Sequence, residues 1–169
     1  MESEFNQLLK NGSVPKILRF KIDNKVNRIV ENICSLKIET ISQLLPLLNI
    51  KIDSGNKIPL FIKATECSPE IFGFVKAYFG PSGRLLFGAY FEALKNNKVD
   101  ILKKIRGLTP SNLKKMRDYV KQSKSVSLET VNFVTMDYKL AKSKKSVSEP
   151  SLFIKRKMKH NVRKSMNNI

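Results

Sequence analysis

Apolar side chains recur along this chain with two different periods, and the period predicts the element. Residues 1–12 form a short helix ending at Gly12. Over 16–22, Leu18, Phe20 and Ile22 alternate with Arg19 and Lys21, which predicts a strand. Val26, Ile29, Val30 and Ile33 fall on one helical face, with Asn24 placed to cap it. Thr40 and Gln43 have capping-box spacing and open a helix through Leu44 and Leu45 that Pro46 kinks or ends. Leu48, Ile50 and Ile52 alternate, and so do Ile58, Leu60 and Ile62. Asp53-Ser54-Gly55-Asn56 between them is a turn signal, so 48–65 reads as a β-hairpin, with Pro59 marking an edge strand.

The middle of the chain is helical. Ser68 caps, Pro69 takes the first helical position, and Ile71, Phe74, Val75 and Tyr78 make a stripe that Gly80-Pro81 ends. Residues 85–94 fit a helical face and a strand alternation nearly equally; helix is preferred, although Gly88 suits neither. Helices follow at 99–106 and 111–122. Over 128–140, Leu128, Val134, Met136, Tyr138 and Leu140 alternate against Val131 and Phe133, which predicts a buried strand. The expected fold is therefore α+β: a small, mainly antiparallel sheet packed by several helices over 1–140, then a basic tail over 141–169.

Charge changes this picture more than composition does. Of 169 residues, 32 are Lys or Arg and 14 are Asp or Glu, a net +18. Residues 95–124 hold net +8 and residues 139–169 net +9, so two blocks totalling 61 residues carry nearly all of it. A solvated surface ordinarily mixes signs, so this segregation points to a polyanionic partner. Lys outnumbers Arg 25 to 7 in a chain also rich in Asn and Ile. All three have AT-rich codons, so the net charge carries more weight than the choice of cation.

The most specific local signal lies in the first block. Leu102-Lys-Lys-Ile105-Arg-Gly107-Leu108-Thr109-Pro110 joins two amphipathic helices, with Gly107 where a positive φ is required and Thr109 as the second helix's cap. The segment resembles the helix-hairpin-helix of non-specific DNA-binding proteins, in which a Gly-apolar-Gly turn aims backbone N–H groups at a phosphate. Here Thr109 replaces the second glycine and Leu113 a smaller residue. An ordinary helical hairpin closing the core is the competing reading. The binding residues expected in this block are Lys103, Lys104, Arg106, Gly107, Lys114, Lys115, Arg117 and Lys121, which lie off the Leu113, Met116, Val120 stripe.

Lys144, Lys145, Lys155, Arg156, Lys157, Lys159, Arg163 and Lys164 extend the expected set into the tail. Leu152, Phe153 and Ile154 precede a basic cluster, and Ile154, Met158, Val162 and Met166 recur every four residues. Such a segment folds on nucleic acid, or lies on an anionic membrane with Phe153 inserted.

Catalysis finds little support. His160 is the only histidine and sits among cations in the tail. Cys34 and Cys67 are too few for a disulfide framework or a zinc finger and read as buried structural thiols. No phosphate-binding glycine motif occurs. Phe72-Gly73-Phe74-Val75 looks like part of an RNA-reading strand, but the helix signal at Ser68-Pro69 opposes it. No metal and no cofactor is expected. Neither a transmembrane span nor a signal peptide is evident, which predicts an intracellular protein, cytoplasmic or nuclear, or a virion component. The expected function is a non-enzymatic structural protein binding nucleic acid or nucleoprotein through phosphate contacts. The alternative is a peripheral membrane and assembly protein, similar to viral matrix proteins in size and basicity; either one is compatible with homo-oligomers.

Overall fold

The computed structural model describes residues 1–52 and 59–148. Every regular element among them is helical. Two compact units divide the chain, Met1–Leu108 and a second from Thr109 onward. The first holds α1 (Glu2–Asn11), α2 (Val14–Arg19), α3 (Lys25–Glu31), α4 (Ile38–Leu47), α5 (Leu60–Lys63), α6 (Pro69–Phe79), α7 (Arg84–Lys95) and α8 (Val99–Lys104), with 3-10 turns at Ile33–Ser35 and Ala64–Glu66. Its core is built where α7 meets α5 and α8, and where α6 meets α8. Phe61, Phe72, Tyr90, Leu94 and Leu102 are fully buried there, and the rings of Phe61 and Phe72 stack at 5.3 Å. Gly88 owes its place to this packing. A Cβ on it would lie 3.2 Å from Cδ1 of Ile62, tighter than an ordinary contact, so the small residue lets α5 and α7 approach.

The expected antiparallel sheet is absent from the described residues, and each predicted strand has a physical correction. In 16–22, Ser13 and Pro15 start α2, so Val14 and Ile17 are buried as an i, i+3 pair. The alternation of Leu18, Phe20 and Ile22 straddles the end of that helix and the extended residues after it. Phe20 is held instead by Phe5, ring to ring at 5.3 Å.

Residues 48–52 are a helix terminus. The N–H of Asn49 bonds to O of Pro46 at 3.3 Å, and the N–H of Ile50 reaches back to O of Leu45 at 3.1 Å. With Asn49 at φ +48°, this is a Schellman cap, in which Leu45 and Ile50 supply the usual apolar pair. The second proposed strand holds α5 instead, and the turn at 53–56 lies outside the described residues, as does Ile58.

The strand expected over 128–140 is part of α10 (Leu128–Ser148), which continues without a break past Leu140. Ser127 caps it: its hydroxyl accepts from N–H of Thr130 at 3.3 Å and lies 3.0 Å from that residue's Oγ1. The β-branched Thr130, Val131, Val134 and Thr135 favour a strand intrinsically, but Thr130 and Val134 are spaced i, i+4 and fully buried. α10 packs on α9 (Pro110–Gln122), and this pair, joined by residues 123–127, forms the second unit.

The cysteines also depart from expectation. Cys34 and Cys67 are not free thiols but are bonded to each other, with S–S 2.09 Å and Cα–Cα 4.6 Å. Cys34 lies in the first 3-10 turn and Cys67 directly follows the second, 33 residues further along the sequence. Cys67 is buried, whereas Cys34 is exposed. Two residues so distant give no sequence cue to pairing, because connectivity depends on how α3 and α5 pack.

Candidate nucleic-acid interface

Three local devices position the cations of residues 95–124. The first is the end of α8. Its last turn carries Lys103 and Lys104, cations at the negative end of the helix dipole. Lys76 of α6 donates its ammonium to O of Lys104 at 2.5 Å, satisfying one of the carbonyls that a helix end leaves open. Lys104 itself runs along α6, 3.8 Å from where a Cβ on Gly73 would sit. Lys103 pairs with Asp100 at 3.5 Å, both of them exposed.

The second device is the turn. Gly107 has φ +89° with nothing within 4 Å of an added Cβ, so the backbone conformation alone calls for glycine there. Arg106 and Gly107 are exposed. The third device is the start of α9. Thr109 accepts from N–H of Asn112 at 3.2 Å and Pro110 occupies the first turn, as the sequence predicts.

On α9, Leu113, Met116 and Val120 are buried and Lys114, Lys115 and Lys121 are exposed. Lys114 and Lys121 flank Asp118 at helical spacing. Arg117 is committed elsewhere: its guanidinium bonds to Asp118 at 2.6 and 3.0 Å and lies 4.4 Å over the ring of Tyr138. The bond from Arg117, more than the neighbouring lysines, lowers the pKa of Asp118, and the same bond raises that of Arg117. At α6, the carboxylate of Glu70 is also lowered, first by its backbone N–H, then by the Ser68 hydroxyl, with Lys104 adding a Coulomb pull. Lys103, Lys104, Lys114, Lys115 and Lys121 are thus exposed lysines of this block, and Arg117 is a packing residue.

Lys144 is exposed on α10, and Lys145 belongs to the same helix. The side chain of Lys145 lies outside the described residues, and so do Lys155, Arg156, Lys157, Lys159, Arg163 and Lys164, together with Leu152, Phe153, Ile154 and His160.

Sequence reasoning missed a further gathering of cations. An open cleft of about 850 Å³ is lined by Arg19, Lys21, Lys25 and Arg28, with Glu2 and Asp23 as its acids. Arg28 pairs with Glu2 and donates to O of Asp23 at 3.2 Å, and Lys25 donates to O of Leu18 at 2.6 Å. Four cations within ten residues were visible in the sequence, but the near-neutral total of residues 1–94 masked them. Compared with protein-family models, with curated proteins and with solved structures, the chain matches none.

Proposed function

We propose that this chain is a non-enzymatic structural protein that binds nucleic acid or nucleoprotein mainly through phosphate contacts. One observation carries the reading: net +17 of the total +18 falls in residues 95–124 and 139–169. The exposed lysines of α8 and α9 support it, because residues 95–124 hold ten Lys or Arg and only two acids, Asp100 and Asp118, too few to neutralise them. Lysine ammoniums act as hydrated point charges, so they suit phosphates and discriminate poorly among bases.

Its place of action is intracellular, in cytoplasm or nucleus, or within a virion. No helix among the described residues is long and apolar enough to cross a membrane. Reducing compartments keep thiols reduced, so there the Cys34–Cys67 bond would be a reducible element rather than a permanent staple.

The second reading, a peripheral membrane and assembly protein, rests on Leu152, Phe153 and Ile154 beside Lys155, Arg156 and Lys157. One experiment separates the two. Full-length protein is titrated against single- and double-stranded nucleic acid and against anionic liposomes at several salt concentrations. Phosphate binding gives a log K that falls with log salt by about 0.9 per phosphate neutralised on duplex DNA. Membrane binding leaves a salt-resistant remainder that Phe153→Ala removes. Binding to neither partner defeats both readings.

A further inference from the structure

The helix α10 is apolar on two sides, and only one of them is covered. At 100° per residue, Thr130 and Val134 mark the buried side, both fully inaccessible. Met136, Leu140 and the half-buried Phe133 fall on a second side, about 110° round the helix, spaced three and four residues apart, the interval of a helix-pairing seam. Met136 is 60 % exposed and Leu140 56 % exposed. Both are among the large exposed apolar side chains of the described residues. Single exposed apolar residues need no explanation, but a stripe along one helix face marks an interaction surface.

Charge along the same helix selects the occupant. The half from Leu128 to Tyr138 carries Glu129 and Asp137 and no Lys or Arg, whereas the half from Lys139 to Ser148 carries Lys139, Lys142, Lys144 and Lys145 and no acid. We infer that the stripe pairs with the same stripe of a second copy, the two helices running antiparallel. In that sense each acidic half lies against a basic half, and Met136 of one copy meets Leu140 of the other. A parallel pairing would set acid on acid and base on base.

The other occupants fit less well. An anionic membrane or a nucleic acid would meet the net −2 of the first half. Residues 149–169 hold six Lys or Arg and one Glu, net +5, so they would be repelled by the second half. Pairing of this kind does not depend on nucleic-acid binding, so it is tested with protein alone.

A seam of three apolar residues from each copy, Phe133, Met136 and Leu140, is smaller than a standard interface, so the dimer is weak, with a dissociation constant on the order of 10–100 µM. Sedimentation equilibrium of the nucleic-acid-free full chain at physiological salt should show the average mass rising from monomer towards dimer across that range. The double variant Met136→Glu, Leu140→Glu should weaken association by at least about tenfold, since two carboxylates would be placed in the seam of each copy. Both positions are exposed, so helix content should be kept.

The sense of pairing is read by a spin label on Asn132→Cys, introduced while the native cysteines remain bonded to each other. Antiparallel helices crossing near Tyr138 place the two labels about 20 Å apart, and parallel ones about 10 Å. A monomer at every concentration overturns the inference, and so does association that survives the double variant. The short label distance overturns the antiparallel sense.

Discussion

Reducing the Cys34–Cys67 bond should destabilise the first unit by an amount that can be worked from the loop it closes. The bond spans 33 residues, including α4 and α5. In the chain-entropy description, releasing a loop of that size returns roughly 3.7 kcal/mol of conformational freedom to the unfolded state at 25 °C. Met1–Leu108 unfolding as one cooperative unit has an entropy of about 0.23 kcal/mol/K at its midpoint, so Tm should fall by roughly 15 °C.

The assay is differential scanning calorimetry of oxidised protein, protein reduced with a phosphine, and the Cys34→Ala, Cys67→Ala double variant. The last two should agree, because alanine at buried position 67 introduces no unpaired polar group. Thiol titration of the denatured, unreduced chain should find none free. Reduction should also be fast under native conditions. Cys34 is exposed, so a thiolate can attack its sulfur and expel that of Cys67 without global unfolding, at a rate proportional to reductant concentration. Two free thiols in the unreduced chain would refute the pairing. Oxidised and reduced Tm values within about 3 °C would refute the loop-entropy reasoning, because the 33-residue loop would then already be constrained in the unfolded state.

Replacing Lys103, Lys104, Lys114 and Lys115 with Gln should leave Tm nearly unchanged, since all four are exposed, and should flatten the log K against log salt line by about 0.9 for each phosphate no longer neutralised. Gly107→Val should cost about 1–3 kcal/mol in chemical denaturation, from backbone strain alone at φ +89° with open space around the new side chain; wild-type stability would mean that the turn lacks this geometry. Glu70 and Asp118 both have lowered pKa values, so their contribution is present above the unfolded carboxylate range and is lost as pH falls through the lowered folded values. Glu70→Gln combined with Asp118→Asn should therefore reduce Tm near neutrality and flatten its decline on acidification, as measured by calorimetry from pH 7 to about pH 2. Truncation after Ser148 removes net +5 and should weaken nucleic-acid affinity and lower the salt slope; unchanged affinity would confine binding to residues before Glu149.

Helices with clear terminal chemistry were legible in the sequence. Ser68-Pro69 and Thr109-Pro110 open α6 and α9 with the predicted side-chain caps, and Gly80 closes α6 at φ +56°. What misled was alternation over three residues. Leu48, Ile50 and Ile52 satisfy a period of two equally well when a helix ends in an Asn-based Schellman turn, because the residue after the left-handed one returns to the core. Leu18 to Ile22 alternates across a helix end in the same way. Neither run is long enough to separate a strand from a terminus, and Pro15 and Asn49 were the residues that could have done so.

The error over 128–140 has a different origin, and it bears on the site. A helix with one apolar side shows a clear period near 3.6, but α10 carries Thr130 and Val134 on one side and Phe133, Met136 and Leu140 on another. The two stripes blur each other's periodicity and leave an apparent alternation of two. The misreading thus has the same cause as the exposed seam: one helix serves an internal contact with α9 and presents a second apolar side to solvent. In the basic blocks the reverse holds. Helical spacing put Lys103, Lys104, Lys114, Lys115 and Lys121 off the apolar stripes, and all five are exposed. Only geometry could withdraw Arg117 from that set, because its neighbour Asp118 is adjacent in sequence but Tyr138 lies one helix away.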